Sequence, residues 1–320
     1  CENLKKKLNI KIELITENIF NLSKEKLFVN SENEIFFLEN IRFYEHEEKN
    51  DSSFSKHLAS LGDVFVNDAF SCSHRAHASI CEITKYIPSY VGIQFQTEID
   101  ALKKVTIDIK KPITCIIGGS KISSKISIIK NLIPKFDNII IVGGMANNVL
   151  KYKGYSVGKS IQENDIEEII DDMFKISKEY SCSIIIPEDV AVGKTKESEA
   201  KIKKINQVEN DDIILDIGPK TISKINSIID KSKTILWNGP AGYFENPNFS
   251  KGSFGIGKKI ADKNKLNQIY SVAGGGDTSA LINSIDILNN FNFVSTAGGA
   301  FLEYLEGKEL PGIRALRNVR

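Results

Sequence analysis

The sequence predicts an α/β protein built from parallel sheets that helices cover on both faces. Short apolar runs rich in Ile, Val and Phe alternate with longer stretches in which apolar residues recur with a helical period. Such strand–helix alternation is typical of parallel sheets. Glycine clusters follow several of the apolar runs directly, and open α/β sheets bind their ligands at this position.

The apolar runs and helical stretches give the elements in chain order. The predicted strands are residues 35–38, 64–66, 114–117, 139–142, 183–186, 213–216, 234–237, 269–272 and 293–295. The predicted helices include residues 123–136, 165–180, 221–232 and 249–264. We interpret all nine strands as buried members of parallel sheets, because the runs are almost continuously apolar.

A further helical stretch, residues 96–110, is interpreted as a connector between two domains. It follows the proline-containing segment 86–92, and Pro112 ends it. The portion before it holds only about two strand–helix units, which is too few for a complete doubly wound domain. The portion after it holds about seven strands, which is enough for a whole domain.

The composition is that of a globular protein with no global charge. A length of 320 residues favours two domains, and 41% hydrophobic with 26% charged residues excludes disorder, collagen and coiled coil as the main architecture. The net charge of +1 gives no reason to expect nucleic acid or a membrane surface as partner. The apolar runs are far shorter than the ~20 residues that a membrane helix needs.

Cysteine and arginine usage add two expectations. The five cysteines are scattered without a CxxC or zinc spacing, so we expect a reducing, cytoplasmic environment. Only five of the 42 basic residues are arginines, which makes Arg42 and Arg75 candidates for bidentate recognition of an anion. The sequence also begins at Cys1 within a helical pattern, from which we expect an N-terminally incomplete chain.

The glycine clusters after the predicted strands are candidates for a nucleotide or phosphate site. Glycine lets the backbone approach a ligand and presents N–H groups at the start of the next helix. For a single cluster, a tight strand-to-helix turn is an equally good explanation, but several clusters on one sheet edge favour the site. The clusters are Gly118-Gly119, Gly143-Gly144, Gly239, Gly274-Gly275-Gly276 and Gly298-Gly299.

Charged residues beside these glycines point to phosphate chemistry. Lys121 and Lys125 are four apart at the start of a predicted helix, which would place both ammonium groups on one face, although a solvated face has the same spacing. Asp277 is either the N-cap of a helix or a ligand of Mg²⁺. All four histidines precede residue 80, so histidine cannot act as general base here, and phosphoryl transfer does not need one.

Two nucleotide-binding motifs do not fit this sequence. The segment 154–160 is similar to a phosphate-binding P-loop, but it has three residues between its glycines instead of four and does not directly follow a predicted strand. No GxGxxG motif occurs, which weakens the alternative of a nicotinamide-dependent dehydrogenase. In the first portion, His74-Arg75-Ala76-His77 is either an anion site or a structural turn.

At these residues the sequence resembles the phosphoglycerate kinase family over essentially its whole length. Residues 38–43 match the family's LENxRF segment, residues 66–79 match VNDAF and HRAHAS, and residues 118–125 match GGxKxxxK. Further matches follow in family order at residues 143–146, 216–219, 237–240, 244–245, 274–278, 295–300 and 305–312. Each motif alone is moderate support, whereas the complete set in this order is very specific.

The resemblance implies a fold of two Rossmann-like lobes joined by a helix, with the first lobe incomplete. The implied divisions are residues 1–95 for the remainder of the phosphoglycerate-binding lobe, 96–111 for the helix, 112–303 for the nucleotide-binding lobe and 304–320 for a tail returning to the first lobe. The implied reaction is reversible phosphoryl transfer from 1,3-bisphosphoglycerate to ADP, giving 3-phosphoglycerate and ATP in glycolysis. It further implies Mg²⁺, hinge bending and a cytoplasmic monomer without nucleic-acid or membrane partners.

The resemblance also implies roles for individual residues. Arg42 and Arg75 would bind the phosphoglycerate, with Arg42 also serving catalysis. Lys121 would neutralise the transferring phosphoryl group, helped by backbone amides at Gly276 and at Gly298 and Gly299. The nucleotide would be held by Lys125, Gly143, Gly144, Asn238, Pro240, Glu245, Gly275, Gly276, Asp277 and Thr278. Of these, Glu245 would take the ribose and Asp277 would bind the metal.

The sequence departs from the family pattern in a few places. The leading segments DxNVP, DxRI and SHxGRP are absent, so we expect little or no kinase activity from residues 1–320. Val142 stands where a glycine is usual and predicts a tighter adenine side of the pocket. Ala297 and Ile214 also replace usual glycines. The remaining alternative is a non-catalytic binding or scaffolding descendant, which the presence of Lys121 and Asp277 disfavours.

Overall fold

The computed structural model describes residues 1–28 and 35–317 of the chain. The chain folds as two compact units. The first unit contains Cys1–Gln96 together with Glu309–Arg320, and the second contains Thr97–Lys308. The boundary between Gln96 and Thr97 falls in the helix Ile93–Thr106, which overlaps the stretch 96–110 interpreted as a connector.

The described residues contain thirteen strands, thirteen α-helices and seven short 3₁₀ helices. The strands are β1 Ile12–Ile15, β2 Ile35–Leu38, β3 Phe65–Asn67, β4 Ser89–Val91, β5 Ile113–Ile117, β6 Asn138–Ile141, β7 Ser183–Ile185, β8 Asp189–Gly193, β9 Lys201–Lys204, β10 Ile213–Ile217, β11 Thr234–Asn238, β12 Tyr270–Gly274 and β13 Phe293–Ser295. The α-helices are α1 Glu2–Leu8, α2 Lys24–Phe28, α3 Glu45–Glu48, α4 Ser52–Ser60, α5 Ile93–Thr106, α6 Ile126–Leu132, α7 Gly144–Tyr152, α8 Glu167–Glu179, α9 Pro219–Lys231, α10 Lys251–Lys265, α11 Gly276–Ser284, α12 Gly299–Leu305 and α13 Pro311–Arg317. The 3₁₀ helices are Ile19–Asn21, Ile41–Phe43, Phe70–Cys72, Glu82–Lys85, Ile205–Gln207, Pro247–Phe249 and Leu288–Asn290.

The first unit contains two small parallel sheets. β1 pairs with β2, and β3 pairs with β4. The prediction missed β1 and β4, because one is a four-residue run with a central Glu and the other directly follows Pro88. Phe54 is fully buried in the apolar core of this unit. Helix α13 joins the unit through the Gly312 N–H, which donates to the Ser73 carbonyl at 2.9 Å.

The second unit is built on a six-stranded parallel sheet with strand order β13-β12-β11-β5-β6-β7. All five residues of β5 and of β11 are buried, as expected for central strands covered on both faces. Trp237 on β11 is fully buried in a hydrophobic cluster of this unit. The predicted α/β fold class with parallel sheets is confirmed by this architecture.

One strand of the second unit was predicted in the wrong sheet. β10 does not join the parallel sheet but pairs antiparallel with β8, which in turn pairs antiparallel with β9. An apolar run predicts a strand but not the strand with which it pairs. The sequence therefore could not show that β10 lies outside the main sheet. β8 and β9 were also missed. β9 is mostly Lys and largely exposed, so it carries no apolar signal.

None of the helices within residues 1–28 and 35–317 combines the length and apolar composition required to cross a membrane.

Candidate active site

The ends of β5 and β11 approach each other so closely that only glycine fits between them. The Gly118 N–H donates to the Asn238 carbonyl at 2.9 Å. A Cβ atom on Gly118 would lie 2.1 Å from the Pro240 carbonyl oxygen. A Cβ atom on Gly239 would lie 2.2 Å from the Gly118 carbonyl oxygen. Gly239 also has a φ of +101°, which disfavours any other residue. Close backbone packing therefore accounts for these two glycines.

A buried polar network ties together the ends of three neighbouring strands, β5, β11 and β12. The Lys125 Nζ donates to the Gly118 carbonyl and to Asn238 Oδ1, each at 2.6 Å. Asn238 Nδ2 donates to the Gly274 carbonyl at 2.7 Å, and the Gly239 N–H donates to Thr278 Oγ1 at 2.7 Å. Asn238 and Thr278 are almost completely buried, so this edge of the sheet is held rigidly before any ligand binds.

The ammonium group of Lys125 is a cation held in a poorly solvated position. Burial lowers the pKa of Lys125 to about 8, although the negative charge of Asp277 acts in the opposite direction. The partners of Lys125 Nζ are neutral oxygens, so its charge is not compensated by an ion pair in this network. An anion arriving at this sheet edge would compensate that charge.

The predicted helix over residues 123–136 begins too early. Residues 121–125 form a turn, and α6 begins only at Ile126. Ser124 Oγ donates to the Lys121 carbonyl at 2.8 Å, a local bond of the kind by which serine competes with helical structure. Because the turn is not helical, the spacing of four does not place Lys121 and Lys125 on one helix face. Lys121 is exposed.

The N-terminus of α11 brings its acidic residue to the same sheet edge. Gly275 is the N-cap with a φ of +99°, and Asp277 lies inside the first turn, so the N-cap interpretation of Asp277 is wrong. A carboxylate in the first turn is stabilised by the helix dipole. A Cβ on Gly276 would meet no atom within 4 Å, so protein packing does not explain that glycine.

A cavity of about 260 Å³ opens beside these elements in the second unit. One part of its lining is polar and rich in backbone, and the other part is aliphatic and aromatic. The polar part contains Gly119, Ser120, Gly143, Gly144 and Asp277. The apolar part contains Leu150, Ile161, Val190, Ile213, Ile214, Leu215, Pro240, Ala241, Tyr243 and Phe244. Such a combination suits a ligand with an apolar ring at one end and anionic groups at the other.

The predicted site residues of this unit fall into two sets. Gly143, Gly144, Pro240, Glu245 and Asp277 line the cavity. The remaining residues of the glycine-rich part are not among the lining residues; they lie in the network, at helix starts or, for Lys121, in the turn before α6. This second set contains Lys121, Lys125, Asn238, Gly275, Gly276, Thr278, Gly298 and Gly299. The last two begin α12 after β13, where Gly298 has a φ of +54°.

Val142, Ile214 and Ala297, which stand where the family usually has glycine, have different surroundings in the structure. The predicted narrowing by Val142 is wrong, because its fully buried side chain packs in the hydrophobic core and does not line the cavity. Ile214 does line the cavity. Ala297 is buried, and its N–H donates to Ser295 Oγ at 3.2 Å.

Sequence reasoning assigned no role to Asp216, which also lines the cavity. Burial raises the pKa of Asp216 to about 7, while hydrogen bonds from the Gly252 N–H at 2.7 Å and the Ile217 N–H at 2.9 Å oppose that rise. The Gly252 amide belongs to the first turn of α10, so this carboxylate fixes the start of a helix. An acidic residue inside an apolar strand run was the signal that could have marked it.

In the first unit, the two candidate arginines, Arg42 and Arg75, both lie close enough to His77 to affect its charge. Arg42 and Arg75 are exposed, and Arg75 Nε lies 3.3 Å from His74 Nε2. Burial lowers the pKa of His77, and the charges of both arginines lower it further against the opposing effect of Glu47. The structure therefore brings Arg42 and Arg75 into one positive cluster.

A buried carboxylate supports the loop that carries Arg75. Glu47 accepts from the Ser79 N–H at 2.9 Å and from Ser79 Oγ at 2.6 Å, and its own carbonyl accepts from the Ala78 N–H. Arg42 Nη2 lies 3.8 Å from Cys72 Sγ. The guanidinium groups themselves have few contacts and remain open to an anionic ligand.

The order of these features along the chain is shared with one family. The model of that family, phosphoglycerate kinase, matches residues 1–308. The chain belongs to the phosphoglycerate kinase family. This confirms the predicted family and the predicted activity, a reversible phosphoryl transfer between 1,3-bisphosphoglycerate and ADP in glycolysis.

Individual phosphoglycerate kinases show how much of the chain the similarity covers. That of Wolbachia pipientis is 42% identical over 318 residues, which are 99% of this chain and 80% of the relative. That of Bartonella tribocorum is 46% identical over 285 residues, which are 88% of this chain and 72% of the relative. The structure of phosphoglycerate kinase from Coxiella burnetii has a TM-score of 0.90 at 36% identity and covers 100% of this chain and 80% of that chain.

Proposed function

We propose that the second unit binds the Mg²⁺ complex of ADP or ATP in its cavity. The observation that carries this proposal is the meeting of a partly buried ammonium group, a first-turn carboxylate and an apolar cavity at one sheet edge. The apolar lining would hold the adenine beside Gly143, Gly144 and Pro240. Glu245 would accept from the ribose hydroxyls.

The phosphates would lie toward the network end of the site. The backbone N–H groups at Gly276 and Thr278 have the arrangement that binds anions at a helix N-terminus, and Gly275 allows the tight entry into that helix. Lys125 supplies a fixed positive charge that Asn238 and Gly118 hold in place. These groups bind by position and charge and transfer no proton.

Asp277 fits a magnesium site. Mg²⁺ is usually bound by one or two carboxylates together with substrate phosphates and waters, and Asp277 is an exposed carboxylate that lines the cavity. When bound, Mg²⁺ would neutralise charge on the phosphate oxygens.

The first unit is proposed as the phosphoglycerate-binding lobe. Arg42 and Arg75 would pair with the phosphate or carboxylate of the substrate, because a guanidinium group forms two parallel hydrogen bonds to such anions. In the second unit, Lys121 would neutralise the phosphoryl group during transfer, with the amides at Gly298 and Gly299 adding further positive potential. The leaving group is a stable carboxylate, so no general acid is needed.

Several broader features are proposed from family membership. These are the lobe divisions given above, hinge bending during catalysis, a monomeric cytoplasmic protein, and the absence of nucleic-acid and membrane partners. The near-neutral net charge supports the absence of nucleic-acid and membrane partners, and the scattered cysteines support the cytoplasmic location.

Calorimetric titration with ADP tests the nucleotide proposal. We expect binding that weakens at least about tenfold when EDTA removes Mg²⁺ and when Asp277 is changed to Asn, because the metal link to the phosphates is lost. Asp286→Asn, directly after the C-cap of α11, is the matched control and should bind as the wild type does. Equal ADP affinity with and without Mg²⁺, or an Asp277→Asn variant with wild-type affinity, would contradict the proposal.

A further inference from the structure

The turn that carries Lys121 has few fixed points of its own. Residues 121–125, which we name the Lys121 turn, lie between β5 and α6 without regular structure. Its C-terminal end is held by the Lys125 ammonium group in the polar network. Its middle is held by a side chain from a distant part of the sequence, Glu163.

Glu163 contacts the Lys121 turn through both carboxylate oxygens. Oε2 accepts from the Ser123 N–H at 3.2 Å, and Oε1 accepts from the Ser123 hydroxyl. Burial alone would raise the pKa of Glu163, but these bonds and the positive charge of Lys121 outweigh it and lower the pKa. The carboxylate is therefore ionised at neutral pH and lies within electrostatic range of Lys121.

Glu163 is itself anchored to elements that line the cavity. Its N–H donates to Oδ1 of the buried Asn148 on α7 at 2.7 Å. Two residues earlier, the Ile161 carbonyl accepts from Asn147 Nδ2 at 3.1 Å. α7 begins at Gly144 of the cavity lining, so Glu163 connects the turn with that wall.

The stretch similar to a P-loop explains how Glu163 reaches this position. Gly158 has a φ of +55°, and a Cβ there would lie 2.3 Å from the Asp212 carbonyl oxygen, so the chain runs directly along the entry to β10. Ser160 Oγ then accepts from the Ile214 N–H at 2.8 Å. Gly158 therefore serves close backbone packing, and with the Ser160 bond it fixes the path of the chain toward Glu163.

We infer that Glu163 is a positioning residue that fixes the Lys121 turn through its two hydrogen bonds from Ser123. This inference rests on the proposed nucleotide site, in which Lys121 serves the transferring phosphoryl group. Glu163 touches neither substrate nor reacting atoms in this scheme. Its effect is therefore confined to ligands that carry the third phosphate, since only these extend to Lys121.

The test compares the affinity of Mg·ADP with that of the Mg²⁺ complex of a non-hydrolysable ATP analogue. Isothermal titration is performed on the wild type, Glu163→Ala, Glu163→Gln and Ser123→Ala, each checked for an unchanged melting temperature. Glu163→Ala and Ser123→Ala should each lower the triphosphate-to-diphosphate affinity ratio by about tenfold, the effect of losing one hydrogen bond to a charged group. Glu163→Gln keeps an acceptor for Ser123 and should stay within about twofold of the wild type.

A second comparison separates positioning from a merely structural role. In a Lys121→Met background, Glu163→Ala should lower the affinity ratio no further, because the residue through which it acts is gone. Multiplying effects in the double variant, or an unchanged ratio in Glu163→Ala with normal Mg·ADP binding, would overturn the inference alone. Loss of Mg·ADP binding by the wild type would instead overturn the nucleotide site itself.

Discussion

The arginines proposed to bind phosphoglycerate in the first unit and the lysine proposed to hold the nucleotide phosphates in the second unit, Lys125, are held in opposite ways. In the first unit, Arg42 and Arg75 are exposed, and among residues 1–28 and 35–317 their guanidinium groups have a thiol and a neighbouring histidine as hydrogen-bond partners. In the second unit, Lys125 lies in a buried polar network that fixes the ends of three strands. The two arginine side chains are thus free to reorient toward a ligand, whereas the Lys125 side chain is part of the folded framework.

Because of this difference, a substitution in the first unit can change ligand binding alone. A substitution in the network of the second unit changes stability as well. Removing an exposed guanidinium leaves the protein around it satisfied, and surface substitutions usually change stability by no more than about 0.5 kcal/mol. Removing a member of a buried polar network leaves its partners without hydrogen bonds in a poorly solvated place. The following predictions test whether the two units differ in this way.

Asn238→Ala should have the largest effect, and the effect should be on stability. The substitution removes one of the two close acceptors of the Lys125 ammonium group and the side-chain donor to the Gly274 carbonyl. Together these losses should lower the free energy of unfolding by about 2–4 kcal/mol. The single tryptophan, Trp237, is buried in the second unit, so its fluorescence during urea unfolding reports on that unit.

Matched variants complete that experiment. Asn283→Ala, at an exposed position of α11, should unfold as the wild type does. Arg42→Ala in the first unit should also leave the tryptophan transition unchanged. If Asn238→Ala unfolds at the same urea concentration as Asn283→Ala, the network does not hold the sheet edge as described.

Arg75→Lys should have an intermediate effect, and only on substrate binding. Lysine keeps the charge but cannot form the paired hydrogen bonds of a guanidinium group, so affinity for 3-phosphoglycerate should fall about tenfold. Titration calorimetry with 3-phosphoglycerate measures this, with Arg314→Lys as the control at an exposed arginine of the same unit. Equal affinities of the two variants would remove Arg75 from the substrate site.

The sequence predicted more about the second unit than about the first, and the reason is physical. Strands such as β5 and β11 are continuous apolar runs because both faces are buried, so composition alone reveals them. β1 and β4 belong to two-stranded sheets with exposed residues and carry no such signal. The neighbours of β10 depend on contacts between distant segments, which periodicity cannot encode.

The candidate site shows the same limit. The motifs identified Lys121, Lys125, Asn238 and Asp277, because glycine clusters mark the ends of strands. They did not reveal that Lys121 lies in a turn or that Lys125 bonds to Asn238 across the sheet edge. Glu163 was missed entirely, since its partner Ser123 is 40 residues away in sequence and meets it only in the fold.

Proton uptake during Mg·ADP binding at pH 8.5 tests the central claim most directly. With a pKa of about 8, Lys125 is largely neutral at this pH in the free protein, although a lysine in an unfolded chain keeps its proton until about 10.4. The free protein should therefore become more stable as the pH rises from 8 toward 10.4, because the unfolded state binds more protons there.

Phosphates placed beside Lys125 would raise its pKa again, so binding should take up more than about half a proton at pH 8.5. Calorimetry in two buffers of different ionisation enthalpy measures this number. Lys125→Arg, which keeps the cation but cannot lose a proton, should bind Mg·ADP without uptake. Wild-type binding with no proton uptake, or equal uptake by Lys125→Arg, would contradict the claim that this buried ammonium group receives the nucleotide phosphates.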